Sequence, residues 1–95
     1  VLYQVCYLQF SLKRYDEAIN NLNILNSKIS DDTNITLNKS DGTTQMVKMK
    51  AAMANLRGLI AKDQDQPDQA KQFFQNALAL SPDFEAAKLS LEEMN

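Results

Sequence analysis

Apolar residues recur along this chain at spacings of three and four, and one long polar stretch interrupts them. From about Leu2 to Lys13, the residues Leu2, Val5, Cys6, Leu8 and Leu12 give a helical stripe, and Lys13–Arg14 marks a short turn. A second helix is predicted from Tyr15. Asp16 and Glu17 stand in its first turn, where acids suit the helix dipole, and Ala18, Leu22, Leu25 and Ile29 form its apolar face. The stretch Ser30–Thr44 is rich in turn formers, among them Asp31, Asp32, Asn34, Asn38, Ser40, Asp41 and Gly42. A third helix is expected over Gln45–Lys62, with Met46, Met49, Met53, Leu56 and Ile60 on one face. Pro67 suits the first turn of a fourth helix, where its missing N–H costs nothing. Ala70, Phe73, Phe74, Ala77 and Leu78 share a side of that helix. Ser81 then reads as the N-cap of a fifth helix carrying Phe84, Ala87, Leu91 and Met94.

The organisation is helix, short turn, helix, long loop, helix, short turn, helix, closing helix. Short turns imply antiparallel neighbours, so the pattern predicts an all-α fold of antiparallel helical hairpins. The expected limits are one domain over 1–95, with a first hairpin at 1–29, an inserted loop at 30–44, a second hairpin at 45–80 and a capping helix at 83–94. Ile35–Val47 also alternates loosely around Asp41-Gly42, a possible β-hairpin turn. A mobile loop followed by a longer third helix is the preferred reading of that stretch.

Composition agrees with a small folded domain: 95 residues, 44% hydrophobic and 23% charged, with two glycines and two prolines to break helices. The chain opens without Met and already inside a helical pattern, so part of a longer protein is expected. The net charge of -2 argues against a nucleic-acid surface, and Lys48, Lys50 and Arg57 read as a solvated helix face. No apolar run is long enough to span a membrane. Cys6 is the one cysteine, which excludes an internal disulfide. Nothing names a compartment, and a soluble cytoplasmic protein is the default expectation.

Chemistry is sparse. The chain contains no histidine, which removes His-based general bases, nucleophile pairs and His-containing metal sites. Cys6 has no activating neighbour and reads as a small core residue. Asp31–Gly42 departs from calcium-loop spacing, because its glycine comes late and no closing Glu follows. No phosphate-cradling glycine loop is present. No enzyme activity, cofactor or metal is expected.

In the second hairpin, Gly58, Ala70, Phe74, Ala77 and Pro82 occupy an order of small, alanine, aromatic, alanine and proline positions that resembles the tetratricopeptide repeat family. AKQFFQNALALSPDF at Ala70–Phe84 looks like the second half of such a repeat. YDEAI at Tyr15–Ile19 is similar to the family's inter-helix turn, with Cys6 in the small-residue slot, Ala18 in the alanine slot and Leu22 in the aromatic slot. Departures are Leu25 for the later alanine, Ser30 for the proline and Arg57 for an apolar residue. Ala18 and Ala70 lie 52 positions apart, against a family period of about 34, which places an insertion between the hairpins.

The resemblance implies about two repeats plus a capping helix, stacked as a short right-handed solenoid. It further implies a protein–protein interaction module that takes a peptide or helix of a partner in a concave groove lined by the first helix of each hairpin. Tyr3, Tyr7, Phe10, Asn55, Leu59 and Lys62 are the groove candidates by that resemblance. Tyr3 and Tyr7 share a helix face at i and i+4, and such aromatics are enriched in binding hot spots. The basic and Asn slots by which chaperone-binding members clamp a carboxylate fall on Tyr3 and Tyr7, so a co-chaperone role has no support. The alternative is a structural role, in which these residues pack on further repeats or on a second copy.

Overall fold

The computed structural model describes residues 3–94, so Leu2, which opens the first expected stripe, lies outside the described residues. The chain divides into two compact units, one ending at Ser30 and the other starting at Asp31.

The first unit is a helical hairpin of α1 (Tyr3–Ser11) and α2 (Tyr15–Lys28). Cys6 and Ala18 are fully buried, as their small size suits closely approaching helices. Asn21 Nδ2 on α2 donates to Gln9 Oε1 on α1 at 2.8 Å. The turn ends α1 with a left-handed residue, Lys13 at φ 61°. The Arg14 N–H reaches back to the Gln9 carbonyl at 2.8 Å, satisfying one of the helix's terminal carbonyls. The expected α1 stripe is corrected by one face. Tyr3 and Cys6 are buried and Phe10 is half-buried, whereas Val5, Leu8 and Leu12 are exposed at 41%, 58% and 58%. α1 is apolar on nearly every side, so its sequence carries two candidate stripes.

The second unit overturns the all-α expectation. The inserted segment forms a two-stranded antiparallel sheet of β1 (Asn34–Asn38) and β2 (Thr44–Lys48), with Ile35 opposite Val47 and Leu37 opposite Gln45. The reason is local. Lys39 N–H donates to Thr43 O at 2.8 Å and Gly42 N–H to Lys39 O at 3.2 Å, closing a three-residue loop over Ser40–Gly42. Such loops need a left-handed third residue, and Gly42 supplies it at φ 87°. Asp41 Oδ1 accepts from Thr43 N–H at 3.0 Å and Thr43 Oγ1 at 2.6 Å, fixing the loop's exit.

β2 runs directly into α3 (Met49–Asp63), so the third helix begins four residues later than the methionine pattern predicts. Met46 sits in a strand with its side chain exposed, and Val47 is buried in its place. α4 (Pro67–Leu80) follows an αα-turn, with Pro67 in its first turn as expected. That turn copies the first unit's. Asp65 stands at φ 61°, and the Gln66 N–H returns to the Ala61 carbonyl at 2.9 Å.

One cluster of buried residues in this unit gathers Ala61, Ala70 and Phe74, flanked by Leu59, Phe73, Leu91 and Met94. Burying Phe74 completely stabilises by roughly 1.5–3 kcal/mol. It lies against bare backbone at Gly58: a Cβ there would stand 2.5 Å from Phe74 Cε1. Arg57, which departs from the apolar residue expected, has its guanidinium 5.3 Å from the centre of the Phe73 ring.

α5 (Glu85–Glu93) starts at Glu85, with Phe84 before it at the N-cap. Ser81 is therefore not its cap. Its hydroxyl accepts the Lys48 N–H at 3.0 Å, at the point where β2 becomes α3.

Candidate functional site

Three of the sequence-predicted site residues fall together on α1 and form a ladder of rings. Tyr3 and Tyr7 have ring centres 6.3 Å apart, Tyr7 and Phe10 5.7 Å in an edge-on arrangement, and Phe10 and Tyr15 6.3 Å. Edge-on and tilted geometries suit the ring quadrupoles. Tyr3 is buried, and burial first, then Tyr7 and Cys6 beside it, pushes its hydroxyl above the ordinary tyrosine range. Burial likewise raises the Cys6 thiol, which keeps it protonated and unreactive. Tyr7 is the exposed rung. Tyr15, which sequence reasoning reads as a helix start, completes the ladder; a fourth aromatic immediately after the turn is its only signal.

The other three candidates lie on α3 and are engaged within their own unit. Lys62 Nζ sits 3.0 Å from Glu93 Oε2 on α5. Leu59 packs at the margin of the Ala61, Ala70 and Phe74 core. Asn55 is buried, and its Oδ1 has no hydrogen-bond partner among the described residues.

Sequence reasoning missed the polar clasp between the β-hairpin and the start of α5. The Gln45 amide donates to the Asp83 carbonyl and accepts the Glu85 N–H at 3.1 Å. Glu85 in turn accepts the Ser40 N–H at 2.8 Å, which holds its carboxyl below the ordinary glutamate range. Lys50 and Asp31 close the hairpin's base at 2.6 Å, and this bond lowers the Asp31 carboxyl. Beside the clasp lies a cavity of about 260 Å³ lined by Met46, Val47, Leu80, Pro82 and Phe84 among others. Among the described residues, no group of three or more His, Cys, Asp or Glu side chains is placed to hold a metal ion. No described helix is long and apolar enough to cross a membrane.

The tetratricopeptide repeat family matches the chain over residues 51–84, from the first turn of α3 to the residue before α5. Residues 51–84 form a tetratricopeptide repeat. Of the positions that carry the resemblance, Gly58, Ala70, Phe74 and Ala77 are buried packing residues and Pro82 is exposed. Tetratricopeptide repeats generally mediate protein–protein interactions and are not themselves catalytic. No curated protein and no solved structure matches the chain.

Proposed function

We propose that this chain docks a peptide or helix of another protein, and that α1 is the contact element. The observation that carries the reading is the outward placement of Val5 and Leu8 on α1 and of Leu12 just past its end, at helical spacing, with Tyr7 exposed on the same short helix. An exposed apolar row at three and four is what an amphipathic partner helix packs against, and a tyrosine beside it supplies rigid contact area. The first hairpin has the same left-handed turn as the tetratricopeptide repeat, 52 positions earlier. This supports reading it as a second, diverged repeat. Of the α3 candidates, Asn55 offers an unpaired acceptor, while Leu59 and Lys62 already serve α4 and α5.

Photo-crosslinking residues introduced at Tyr7 and Leu8 test this in cells, with Gln72 on the exposed side of α4 as the control position. Crosslinks to a discrete protein from positions 7 and 8, and none from 72, are expected. Equal labelling at all three positions, or none at 7 and 8, contradicts the proposal.

A further inference from the structure

The two edges of the β-hairpin differ. Lys39 pairs with Thr43 at one end and the Met49 N–H donates to the Thr33 carbonyl at 2.8 Å at the other. With this register, the backbone groups of Ile35 and Leu37 bond to Val47 and Gln45, while those of Asn34, Thr36 and Asn38 point away from β2. The opposite edge, along β2, is closed over by the α4–α5 corner: the Lys48 N–H ends on Ser81 Oγ, and Gln45 spans Asp83 and Glu85. Along β1 no such cover exists among the described residues, and Asn34, Thr36 and Asn38 are all exposed.

Natural sheet edges are usually blunted by charge, proline or a bulge. β1 reads Asn-Ile-Thr-Leu-Asn and has none of these. It is also nearly the same read in either direction. We infer that β1 pairs antiparallel with β1 of a second copy of this chain, about a two-fold axis at Thr36. That register sets Thr36 opposite Thr36, Asn34 opposite Asn38, and Ile35 opposite Leu37. It is the register in which the outward N–H and C=O groups at 34, 36 and 38 all meet partners. The contact is isologous, so it closes at two copies. The inner-face row of Ile35, Leu37 and Val47 is continued by the same residues of the partner, in a four-stranded sheet.

Charge favours a second copy over an unrelated strand. Asp31 and Asp32 precede β1 and Lys39 follows it. Asp31 is already paired with Lys50, so antiparallel pairing brings Asp32 of each copy beside Lys39 of the other. Asp41 falls opposite the other copy's Asp31 in this register, where Asp31 is neutralised by Lys50 and Asp41 is turned back onto Thr43.

The test is sedimentation or light scattering of the 95-residue chain from micromolar to near-millimolar concentration, with amide exchange read at Thr36. A monomer–dimer equilibrium is expected, with Thr36 exchange slowing as concentration rises. Thr36→Pro removes only an outward N–H, a tolerated edge position, and is expected to weaken association by at least about tenfold. Thr36→Lys and Thr36→Asp each place like charges opposite one another, and each alone weakens the dimer. Mixing the two restores a mixed dimer, which also shows that both variants fold. A chain that stays monomeric throughout overturns the inference. So does a Thr36→Pro chain that associates like the parent. An association that survives Thr36→Pro but falls with Leu8→Asp places the contact on α1 and also overturns it.

Discussion

Gly58 on α3 and Phe74 on α4 meet with no room for a side chain between them: a methyl group at Gly58 would lie 2.5–2.9 Å from three carbons of the Phe74 ring. In an exposed helix interior, glycine to alanine gains about 1 kcal/mol of helix propensity. Here the ring is fully buried and cannot withdraw. Gly58→Ala is expected to destabilise the chain by about 1–3 kcal/mol in urea unfolding, the usual range for overpacking. Phe74→Leu in the same chain relieves part of that loss, so the two changes together cost less than their sum.

Ser81 makes a second prediction. Its hydroxyl is the partner of a part-buried N–H at the β2–α3 junction. Ser81→Ala leaves that donor unpaired and costs about 1–2 kcal/mol. Ser81→Thr keeps the hydroxyl and stays near the parent value. If Ser81 instead capped α5, helix content by circular dichroism would fall in Ser81→Ala, with no change in Lys48 amide exchange.

Both helical hairpins turn through a non-glycine residue in the left-handed region, Lys13 and Asp65. Left-handed backbone costs a residue with a Cβ about 1–2 kcal/mol, and glycine escapes most of that. Asp65→Gly is expected to stabilise the chain by about 0.5–1 kcal/mol after the flexibility glycine adds to the unfolded state, and so to raise the unfolding midpoint. A lowered midpoint would contradict the turn geometry.

Acid loosens the hairpin. The Glu85 carboxyl is held low by the Ser40 N–H, Asp41 by Thr43 and Asp31 by Lys50. Groups with lowered folded-state pKa contribute stability above their unfolded values. That contribution is lost as the pH falls through the folded values, below about pH 4. The Ser40 amide resonance is expected to hold steady near neutrality and to shift below about pH 4. In Glu85→Gln most of that shift disappears. A Ser40 resonance unmoved between neutral and acidic pH contradicts the clasp.

The helical hairpins were legible because their packing demands particular sizes at particular places. Cys6, Ala18, Gly58, Ala70 and Ala77 are small where helices approach closely, and all are buried. Pro67 marks its helix start for an equally local reason. The β-hairpin was harder to see, because Met46 lies three positions before Met49 and fits a helical stripe as well as a strand. The pairing of Ile35 with Val47 decides the matter, and it is long-range relative to any helical window. On α1, apolar residues occupy two faces, and periodicity alone cannot choose between Val5, Leu8 and Leu12 and the buried pair Tyr3 and Cys6. The clasp of Gln45, Ser81 and Glu85 left no pattern to find, since polar residues in turns have many bland explanations. Of the docking candidates, the aromatic ladder followed from helical spacing, whereas the engagement of Lys62 with Glu93 depends on where α5 folds back.

The insertion ahead of the tetratricopeptide repeat is a strand pair clasped to the α5 start, not a loop leading into a longer helix. Residue-resolved amide exchange in dilute solution tests this directly. Ile35, Leu37, Lys39, Gln45, Val47 and Lys48 are expected to exchange slowly while Asn34, Thr36 and Asn38 exchange fast. Uniformly fast exchange from residue 34 to 44, with helical protection beginning at Gln45, would contradict it.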